Sequence, residues 1–243
     1  MNVSGLFDTL LLIARPAAGK SEIIDYLKNL APEERARRFH VGVLEELDDF
    51  PMIWAWFEED ALLEQMGHPR LHTDPQGYFS EPYLWDVLIE RLGLEYQKKR
   101  RDRPASDTGI TTLIEFSRGQ EHGGYRSAFA HLSRPILEHA ALVYVDVSWE
   151  ESLRKNRKRA NPDRPDSLLE HSLPDEKLER LYRQTDWEAV SRADPRYLAI
   201  QGLRVPYAVF DNADDVTSLR GEALGSRLEQ VLGRLWEGYE ARG

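Results

Sequence analysis

The feature that most constrains the fold of this chain is a loop of small residues between a short apolar run and an amphipathic helix. The apolar run is Thr9–Ala14 (TLLLIA), the loop is Ala14–Ser21 (ARPAAGKS), and the helix carries Ile23, Ile24 and Leu27 on one face. A loop of this kind points consecutive backbone N–H groups, together with a helix N-terminus, at one position, and such a position attracts phosphate. The sequence therefore predicts a strand, a phosphate-binding loop and a helix.

The loop matches the phosphate-loop pattern G-x-x-x-x-G-K-[ST] at every defined position except the first, where Ala14 stands instead of glycine. In this pattern Gly19 allows close backbone approach, Lys20 reaches the β- and γ-phosphates, and Ser21 binds Mg²⁺ through its hydroxyl. Alanine is unfavourable at the first position if a positive φ is needed there. The alternative is a chance Gly-Lys-Ser at a helix start. The residues expected to surround a nucleotide are Ala14, Arg15, Pro16, Ala17, Ala18, Gly19, Lys20 and Ser21.

Short apolar runs recur along the chain and alternate with helical patterns. The predicted strands are Thr9–Ala14, Phe39–Leu44, Thr111–Phe116, Ala141–Val147 and Val205–Asp211. Strands that are apolar throughout are typical of parallel sheets with helices on both faces. This pattern predicts an α/β fold.

The spacing of the strands predicts one domain over residues 1–243 with a long insertion. Residues 45–109 lie between the second and third predicted strands and show helical patterns. This segment is too long for a plain crossover, so we expect it to shape a substrate site.

Composition excludes several classes of function. The chain carries 32 Lys and Arg against 42 Asp and Glu, a net charge of −10, which argues against general nucleic-acid binding. The absence of cysteine excludes disulfides, thiolate metal sites and a cysteine nucleophile, and fits a cytoplasmic protein. No apolar run is long enough to span a bilayer, so no membrane association is expected.

Phosphate-loop enzymes need a carboxylate near Mg²⁺, usually at the end of a neighbouring strand. Three predicted strands end with acids, at Glu115, Asp146 and Asp211. Glu115 is favoured, either to hold Mg²⁺ through water or to take the proton from a substrate hydroxyl. Arg118 is expected to clamp a phosphate. The alternative is a structural pair between Glu115 and Arg118.

Two further groups of residues leave their roles open. Asp48 and Asp49 follow the second strand, where they suit either substrate or metal binding or a solvated helix cap. Trp54, Trp56 and Phe57 come next, and they suit either stacking on a base or core packing.

A basic helix follows the fourth strand. Within residues 150–159, Arg154, Arg157 and Lys158 share one helical face. This placement suits a lid over residues 150–175 that closes Arg154 and Arg157 over transferring phosphates. The alternative is a solvated helix whose basic residues pair with the preceding glutamates.

The order of these parts resembles the P-loop kinases of nucleosides and nucleoside monophosphates. The resemblance rests on the loop Ala14–Ser21, the strand end Ile114–Arg118, a helix from Tyr125, the strand Leu142–Val147 with its arginine-rich sequel, and the final Asp211-Asn212. It implies the three-layer P-loop NTPase fold, with a five-stranded parallel sheet of order 2-3-1-4-5 and a mobile arginine lid. It also implies ATP and Mg²⁺ as cofactors.

The resemblance further implies site residues. Glu115 and Arg118 match the acid and arginine of the deoxynucleoside kinase-like branch, and Arg154 and Arg157 match lid arginines. Asn212 matches the place where the family cradles adenine.

The expected function is therefore an ATP- and Mg²⁺-dependent kinase for a small acceptor such as a nucleoside or nucleotide. The alternatives are a nucleotide-binding regulator with little transfer activity, which Ala14 favours, and a protein that uses a sulfonucleotide in place of ATP. The sequence identifies neither the acceptor nor the oligomeric state.

Overall fold

The sheet of the protein has six strands in the computed structural model, which describes residues 5–104, 106–159 and 172–242. The strands are β1 (Thr9–Ala14), β2 (Val43–Asp48), β3 (Ile110–Phe116), β4 (Ala140–Asp146), β5 (Tyr197–Ile200) and β6 (Leu203–Asp211). They lie side by side in the order β2-β3-β1-β4-β6-β5.

All neighbouring strands run parallel except β5, which pairs antiparallel with β6 at one edge. The parallel strands, with β6 as the fifth, follow the predicted order 2-3-1-4-5, so the predicted fold class is confirmed. The predicted number of strands is wrong by one. A tight turn at Gln201 and Gly202, both with positive φ, folds β5 back onto β6 as a hairpin.

The second strand begins later than predicted. Phe39 ends the helix Pro32–Phe39 instead of starting a strand, although its side chain and that of Val41 are fully buried. The strand itself, Val43–Asp48, contains two glutamates and lies at the edge of the sheet. The apolar pattern correctly indicated that Phe39 and Val41 are buried, but it did not indicate where the strand begins.

Helices connect and cover the strands. They are α1 (Lys20–Lys28), α2 (Pro32–Phe39), α3 (Phe50–Gln65), α4 (Leu84–Asp102), α5 (Gly124–His131), α6 (Arg134–Leu137), α7 (Trp149–Arg159), α8 (Asp175–Tyr182), α9 (Trp187–Ser191), α10 (Val216–Leu219) and α11 (Glu222–Glu240), with a 3₁₀ turn at Gln120–His122. The predicted insertion contains α3 and α4. In the predicted lid, residues 160–171 lie outside the described residues.

Among the described residues, no helix combines the length and apolarity needed to cross a membrane.

Two apolar clusters sandwich the sheet. Successive side chains of β1 point to opposite faces. Leu10 and Leu12 therefore pack with α1 and α11, and Leu11 and Ile13 pack with α4 and α5. The result is a three-layer α/β architecture. The five parallel strands share one direction, so the carboxyl ends of β1, β2 and β3 lie side by side. The loop that leads into α1 begins at this end of the sheet.

Candidate functional site

The loop between β1 and α1 has the placement that the sequence predicted. Ala14 is the last residue of β1, pairs with Val145 and is fully buried in the core. Its φ is not positive, whereas Ala17 has φ 57° and Gly19 has φ 110°. The left-handed conformations of this loop therefore lie at Ala17 and Gly19, and the first position is compatible with alanine.

Gly19 is required because the backbone at this point packs against buried side chains. A Cβ atom on Gly19 would lie 2.6 Å from Thr217 Oγ1 and 3.0 Å from Asn212 Nδ2. Nδ2 of Asn212 donates to the carbonyl of Ala18 at 2.9 Å and to Thr217 Oγ1 at 2.8 Å. These contacts hold the loop at Ala18 and Gly19 against the buried side chains of Asn212 and Thr217.

The prediction that Asn212 cradles adenine is therefore corrected. Its side chain is fully buried, and its Oδ1 also accepts the backbone N–H of Thr217. All of these partners lie within the protein, so Asn212 positions the loop.

Other residues of the loop also have anchoring contacts. The guanidinium of Arg15 donates to the carbonyls of Val147, Tyr182 and Arg183, at the ends of β4 and α8. The carbonyl of Pro16 accepts a hydrogen bond from Ser152 Oγ at 2.8 Å. The side chain of Arg15 thus donates its hydrogen bonds to backbone carbonyls, and these bonds hold the loop against the ends of β4 and α8.

Lys20 and Ser21 begin α1 at the carboxyl edge of the sheet. Nζ of Lys20 donates to Ser117 Oγ at 2.8 Å, at the end of β3. Burial lowers the pKa of Lys20, and the nearby carboxylates of Glu115 and Asp48 oppose this effect. Ser21 is exposed, and Nη2 of Arg159 lies 3.5 Å from its hydroxyl oxygen.

Two carboxylates face this lysine from adjacent strands. Asp48 and Glu115 are direct partners in the register of β2 and β3. Burial, followed by the charges of Glu115 and Asp49, raises the pKa of Asp48 to about 7, and Lys20 opposes this rise. Burial likewise raises the pKa of Glu115. Asp48 is therefore a proton acceptor suited to neutral pH.

These groups line one cavity of about 360 Å³, which we call the loop cavity. Its lining includes Ala17, Lys20, Ser21, Asp48, Glu115 and Arg159. Among the described residues there is no group of three or more His, Cys, Asp or Glu side chains that could hold a metal ion. The oxygen atoms of Ser21 and one acid suit Mg²⁺, which commonly takes few protein ligands and completes its shell with phosphate and water.

Arg118 is a buried structural residue, which corrects its predicted role as a phosphate clamp. Its side chain is 1% exposed. Its Nη1 pairs with Asp49 at 2.6 Å, its Nη2 donates to the carbonyl of Trp85, and its guanidinium lies over the Trp85 ring. The alternative prediction, a structural pair between Glu115 and Arg118, is not formed either, because the partner of Arg118 is Asp49. Asp49 is buried with it, which distinguishes it from Asp48.

Arg154 and Arg157 are exposed and do not line the loop cavity, and their predicted role as lid arginines stays a prediction. Arg154 bonds to Glu151 and Asp215, and Arg157 bonds to Asp175. The α7 arginine that lines the cavity is Arg159. Sequence reasoning missed it because the helical spacing identifies a shared face, and the orientation of that face depends on how α7 packs.

The remaining strand-end acids lie elsewhere. Asp146 and Asp211 are partners in the register of β4 and β6, and both are exposed. Neither lines the loop cavity. Of the three acids that end predicted strands, only Glu115 reaches the site.

A second cavity of about 560 Å³ adjoins the first, and we call it the aromatic cavity. Both cavities are lined by Phe50, Ile53, Leu173 and Tyr182, so they share a wall. Further rings that line the aromatic cavity are Trp54, Phe57, Tyr78, Phe79 and Trp85. Trp56, by contrast, stacks on His72 at a centroid distance of 4.9 Å and does not line the cavity.

Comparisons with known proteins identify no family for this chain. No protein-family model matches the chain, and no curated protein matches it. Among solved structures, the chain is similar to an unliganded sugar kinase from Janibacter sp. HTCC2649, with 16% identity and a TM-score of 0.30, over 71% of this chain and 90% of that one.

The chain is also similar to retinol dehydratase in a complex with retinol and PAP, with 14% identity and a TM-score of 0.36. This alignment covers 96% of this chain and 64% of that chain, so it spans less than two thirds of retinol dehydratase. Both scores are too low to carry a functional argument. The functional assignment rests on the geometry of the site.

Proposed function

We propose that the protein is an ATP- and Mg²⁺-dependent kinase that transfers the γ-phosphoryl group to a hydroxyl of a small acceptor. The observation that supports this most directly is the loop cavity, where a phosphate-loop lysine and serine meet two carboxylates from adjacent strands. Phosphoryl transfer requires a phosphate cradle, a metal site and a proton acceptor at one place.

The donor end of the site is formed by the loop and α1. Backbone N–H groups between Arg15 and Ser21 and the N-terminus of α1 provide positive potential for phosphate. Lys20 adds a charge that its partner Ser117 only partly satisfies. Arg159 lines the same cavity near Ser21, which suits it to stabilise charge on the transferred group.

We assign Mg²⁺ to Ser21 and Glu115, with water completing its shell. Held there, Mg²⁺ would supply positive charge for the phosphate groups of the nucleotide. Glu115 suits this role because it ends β3 and lines the loop cavity with Ser21. Burial raises the pKa of Glu115, and the charge of Lys20 opposes this rise, as that of Mg²⁺ would.

In the transfer step, the acceptor oxygen forms a bond to the γ-phosphorus while the bond from that phosphorus to the bridging oxygen breaks. The products are ADP and the phosphorylated acceptor. The hydroxyl proton passes to a carboxylate, and we assign this role to Asp48. Asp48 lines the loop cavity beside Glu115, and burial together with the charges of Glu115 and Asp49 raises its pKa, which favours uptake of a proton.

The first test is a calorimetric titration of ATP with Mg²⁺ into the native protein and into Lys20→Ala. We expect native binding to weaken at least about 100-fold in the variant, which loses the charge at the β- and γ-phosphates. Lys28→Ala is the matched control, since Lys28 ends the same helix, is exposed and pairs with Glu46. Equal affinities of native protein and Lys20→Ala would contradict the proposal.

A second measurement separates a kinase from a nucleotide-binding regulator. A kinase releases ADP faster when its acceptor is added, whereas a regulator does not respond. The regulator alternative loses its sequence support, because Ala14 occupies a strand position that alanine adopts without strain. Competition between ATP and a sulfonucleotide tests the donor, and tighter binding of the sulfonucleotide would replace the kinase assignment.

A further inference from the structure

The aromatic cavity adjoins the loop cavity on the side of the insertion. Its walls come from α3, the segment 77–82, α4, the 3₁₀ turn and α8. Phe79 packs on Trp85 at a centroid distance of 4.5 Å and lies nearly parallel to Phe57 at 6.2 Å. Its volume of about 560 Å³ is that of a small-molecule site, and walls made of flat rings favour a ligand that also carries a flat ring.

A positive charge from α8 lies beside these rings. The ammonium of Lys177 is 5.1 Å from the centroid of the Tyr78 ring and 5.8 Å from that of Phe57. It also lies against the backbone of the segment that forms the wall, because a Cβ added to Gly77 would be 2.6 Å from Nζ. Lys177 is half-buried, so its charge is partly removed from water at the surface that a ligand would contact.

Lys177 lacks a compensating anion. Among the described residues, its Nζ forms neither an ion pair nor a hydrogen bond, and its contacts are with the two rings. Burial lowers the pKa of Lys177, and the charge of Asp74 opposes this effect without cancelling it. Oδ1 of Asp74 accepts the backbone N–H of Tyr78 at 2.8 Å. A negative charge brought close to Nζ would therefore stabilise the protonated side chain.

The other charged side chains of the lining compensate one another. Glu121 pairs with Arg180 at 2.7 Å. The ring of His122 is neutral at ordinary pH, because burial and the charge of Arg118 lower its pKa to about 2. The described part of the lining therefore has a net positive charge, which comes from Lys177.

These features distinguish flat ligands by their charge. Aromatic walls often bind cations, but a cationic ligand here would meet an ammonium that already lies over the same rings. A neutral ring would stack and would leave Lys177 without an anion. A ring with an anionic group would stack and would also pair with the ammonium, where partial burial strengthens the pair.

We propose that the aromatic cavity binds an aromatic acid, whose flat ring packs against the aromatic wall and whose anionic group pairs with Nζ of Lys177. The site lies next to the loop cavity, with which it shares a wall. The proposal goes beyond the kinase function and does not depend on it, because it follows from the shape and charge of this cavity and not from the phosphate loop.

The test measures binding of three probes to the full chain by equilibrium dialysis, without nucleotide and at low ionic strength. The probes are 2-naphthoate, 2-naphthamide and 2-naphthylmethylammonium, which share a ring system and differ in charge. We expect the acid to bind about five- to tenfold more tightly than the amide, and the ammonium to bind more weakly than both. The net charge of the chain is −10, so its overall charge would favour the opposite order. Equal affinities of acid and amide, or no binding of any probe, would overturn the proposal.

Lys177→Met locates the anionic group. We expect the preference for the acid over the amide to disappear, and Lys177→Arg should keep it because the positive charge remains. The matched control is Arg183→Met, which removes the same charge directly after α8. Arg183 is exposed, pairs with Glu179 and does not line the aromatic cavity, so this control should keep the preference. An unchanged preference in Lys177→Met would contradict the proposed pair.

Lys20→Ala separates this site from the loop cavity, which also contains cationic groups. Lys20 does not line the aromatic cavity, so we expect the affinity for 2-naphthoate to stay within about twofold. If Lys20→Ala lost 2-naphthoate binding while Lys177→Met kept it, the acid would bind at the phosphate loop and the proposal would be wrong.

Phe57→Ala tests the aromatic wall. We expect it to weaken both the acid and the amide at least about tenfold, because the ring that forms part of the wall is lost. Leu62→Ala is the control, since Leu62 lies on the same helix, is exposed and does not line the cavity. Unchanged affinities in Phe57→Ala would show that the probes bind elsewhere, against the proposal.

The two proposals fail separately. Binding of ATP without binding of 2-naphthoate overturns the aromatic acid and leaves the kinase proposal standing. Binding of 2-naphthoate without binding of ATP overturns the kinase proposal and leaves the aromatic acid site standing.

Discussion

The loop cavity and the aromatic cavity are neighbours that differ in chemical character. Charged groups line the loop cavity, which contains Lys20 and Arg159 together with the carboxylates of Asp48, Asp49 and Glu115. The aromatic cavity takes its character from side chains of the insertion and of α8. The comparison teaches that the loop at the first cavity depends on a short local motif, whereas the aromatic cavity depends on packing between segments far apart in sequence.

Arg118 lies beneath both cavities, so its replacement is expected to have the largest effect. Arg118→Met leaves the buried carboxylate of Asp49 without its partner and removes the guanidinium that packs on Trp85. We expect the free energy of unfolding to fall by about 3 to 5 kcal/mol.

Chemical denaturation measures this change. The double variant Arg118→Met with Asp49→Asn removes both charges, and we expect it to recover part of the loss. If the single and double variants were equally unstable, the ion pair would not be the cause.

Gly19→Ala should damage the loop cavity alone. Its Cβ would lie 2.6 Å from Thr217 Oγ1, so the loop must move. We expect affinity for ATP with Mg²⁺ to fall about 100-fold, or about 3 kcal/mol. Gly67→Ala is the control, since Gly67 also has a positive φ, of 79°, and a Cβ added there would meet nothing within 4 Å. If both variants lost the same affinity for ATP, the contact between the added Cβ of residue 19 and Thr217 would not be the cause of the loss.

Asp60→Asn should damage the aromatic cavity alone. Asp60 is fully buried in α3 and accepts hydrogen bonds from Leu71, His72 and Thr73, which hold the segment that leads to the cavity wall. Burial opposes its ionisation, but these hydrogen bonds outweigh burial and lower its pKa to about 2. We expect the substitution to lower the free energy of unfolding by about 2 kcal/mol at neutral pH.

The pH dependence of the Asp60→Asn effect has a definite sign. A pKa that is lower in the folded state than the ordinary 3.8 means that the carboxylate stabilises the fold above about pH 4. This contribution is lost as the pH falls from about 4 to 2, so the difference between native protein and variant should shrink over that range. A constant difference in denaturation experiments across this range would contradict the assignment.

Arg159→Ala should have a smaller effect, confined to the loop cavity. It removes a charge that lines the cavity near Ser21, and we expect ATP affinity to fall about tenfold. Arg154→Ala and Arg157→Ala are the comparisons on the same helix, and both should stay within about twofold because these exposed side chains pair away from the site. A larger loss from either of them would restore the predicted lid arginines.

Much of the fold and part of the site were predictable because their signals are local. The strand, loop and helix around Gly19 follow from a contiguous motif, and the acid at Glu115 follows from its place at the end of an apolar strand. Asp48 and Asp49 show the limit of such reasoning. They are adjacent and chemically identical, yet Asp48 faces Lys20 while Asp49 is buried against Arg118.

Several predicted site residues have surroundings that the sequence did not indicate, for related reasons. Arg118, Arg154 and Arg157 have the right residue type at plausible positions, but an arginine side chain is long and pairs with whichever carboxylate packing brings near. Asn212 follows the last parallel strand as predicted, and its burial behind the loop depends on Thr217 and α10. The burial of the His122 ring had no sequence signal, since Trp85 and Tyr182, which are distant in sequence, enclose it.

The sequence by itself determined the parallel α/β class and the strand, loop and helix around Gly19, because hydrophobic periodicity and a glycine-containing turn act over a few neighbouring residues. The strand order came from the resemblance to a known family and not from this local pattern. Only the tertiary structure decided which charges face the site, which of them neutralise one another, and that an aromatic cavity lies beside the loop. Those properties are set by contacts between segments separated by tens of residues, where desolvation and pairing decide the role of each side chain.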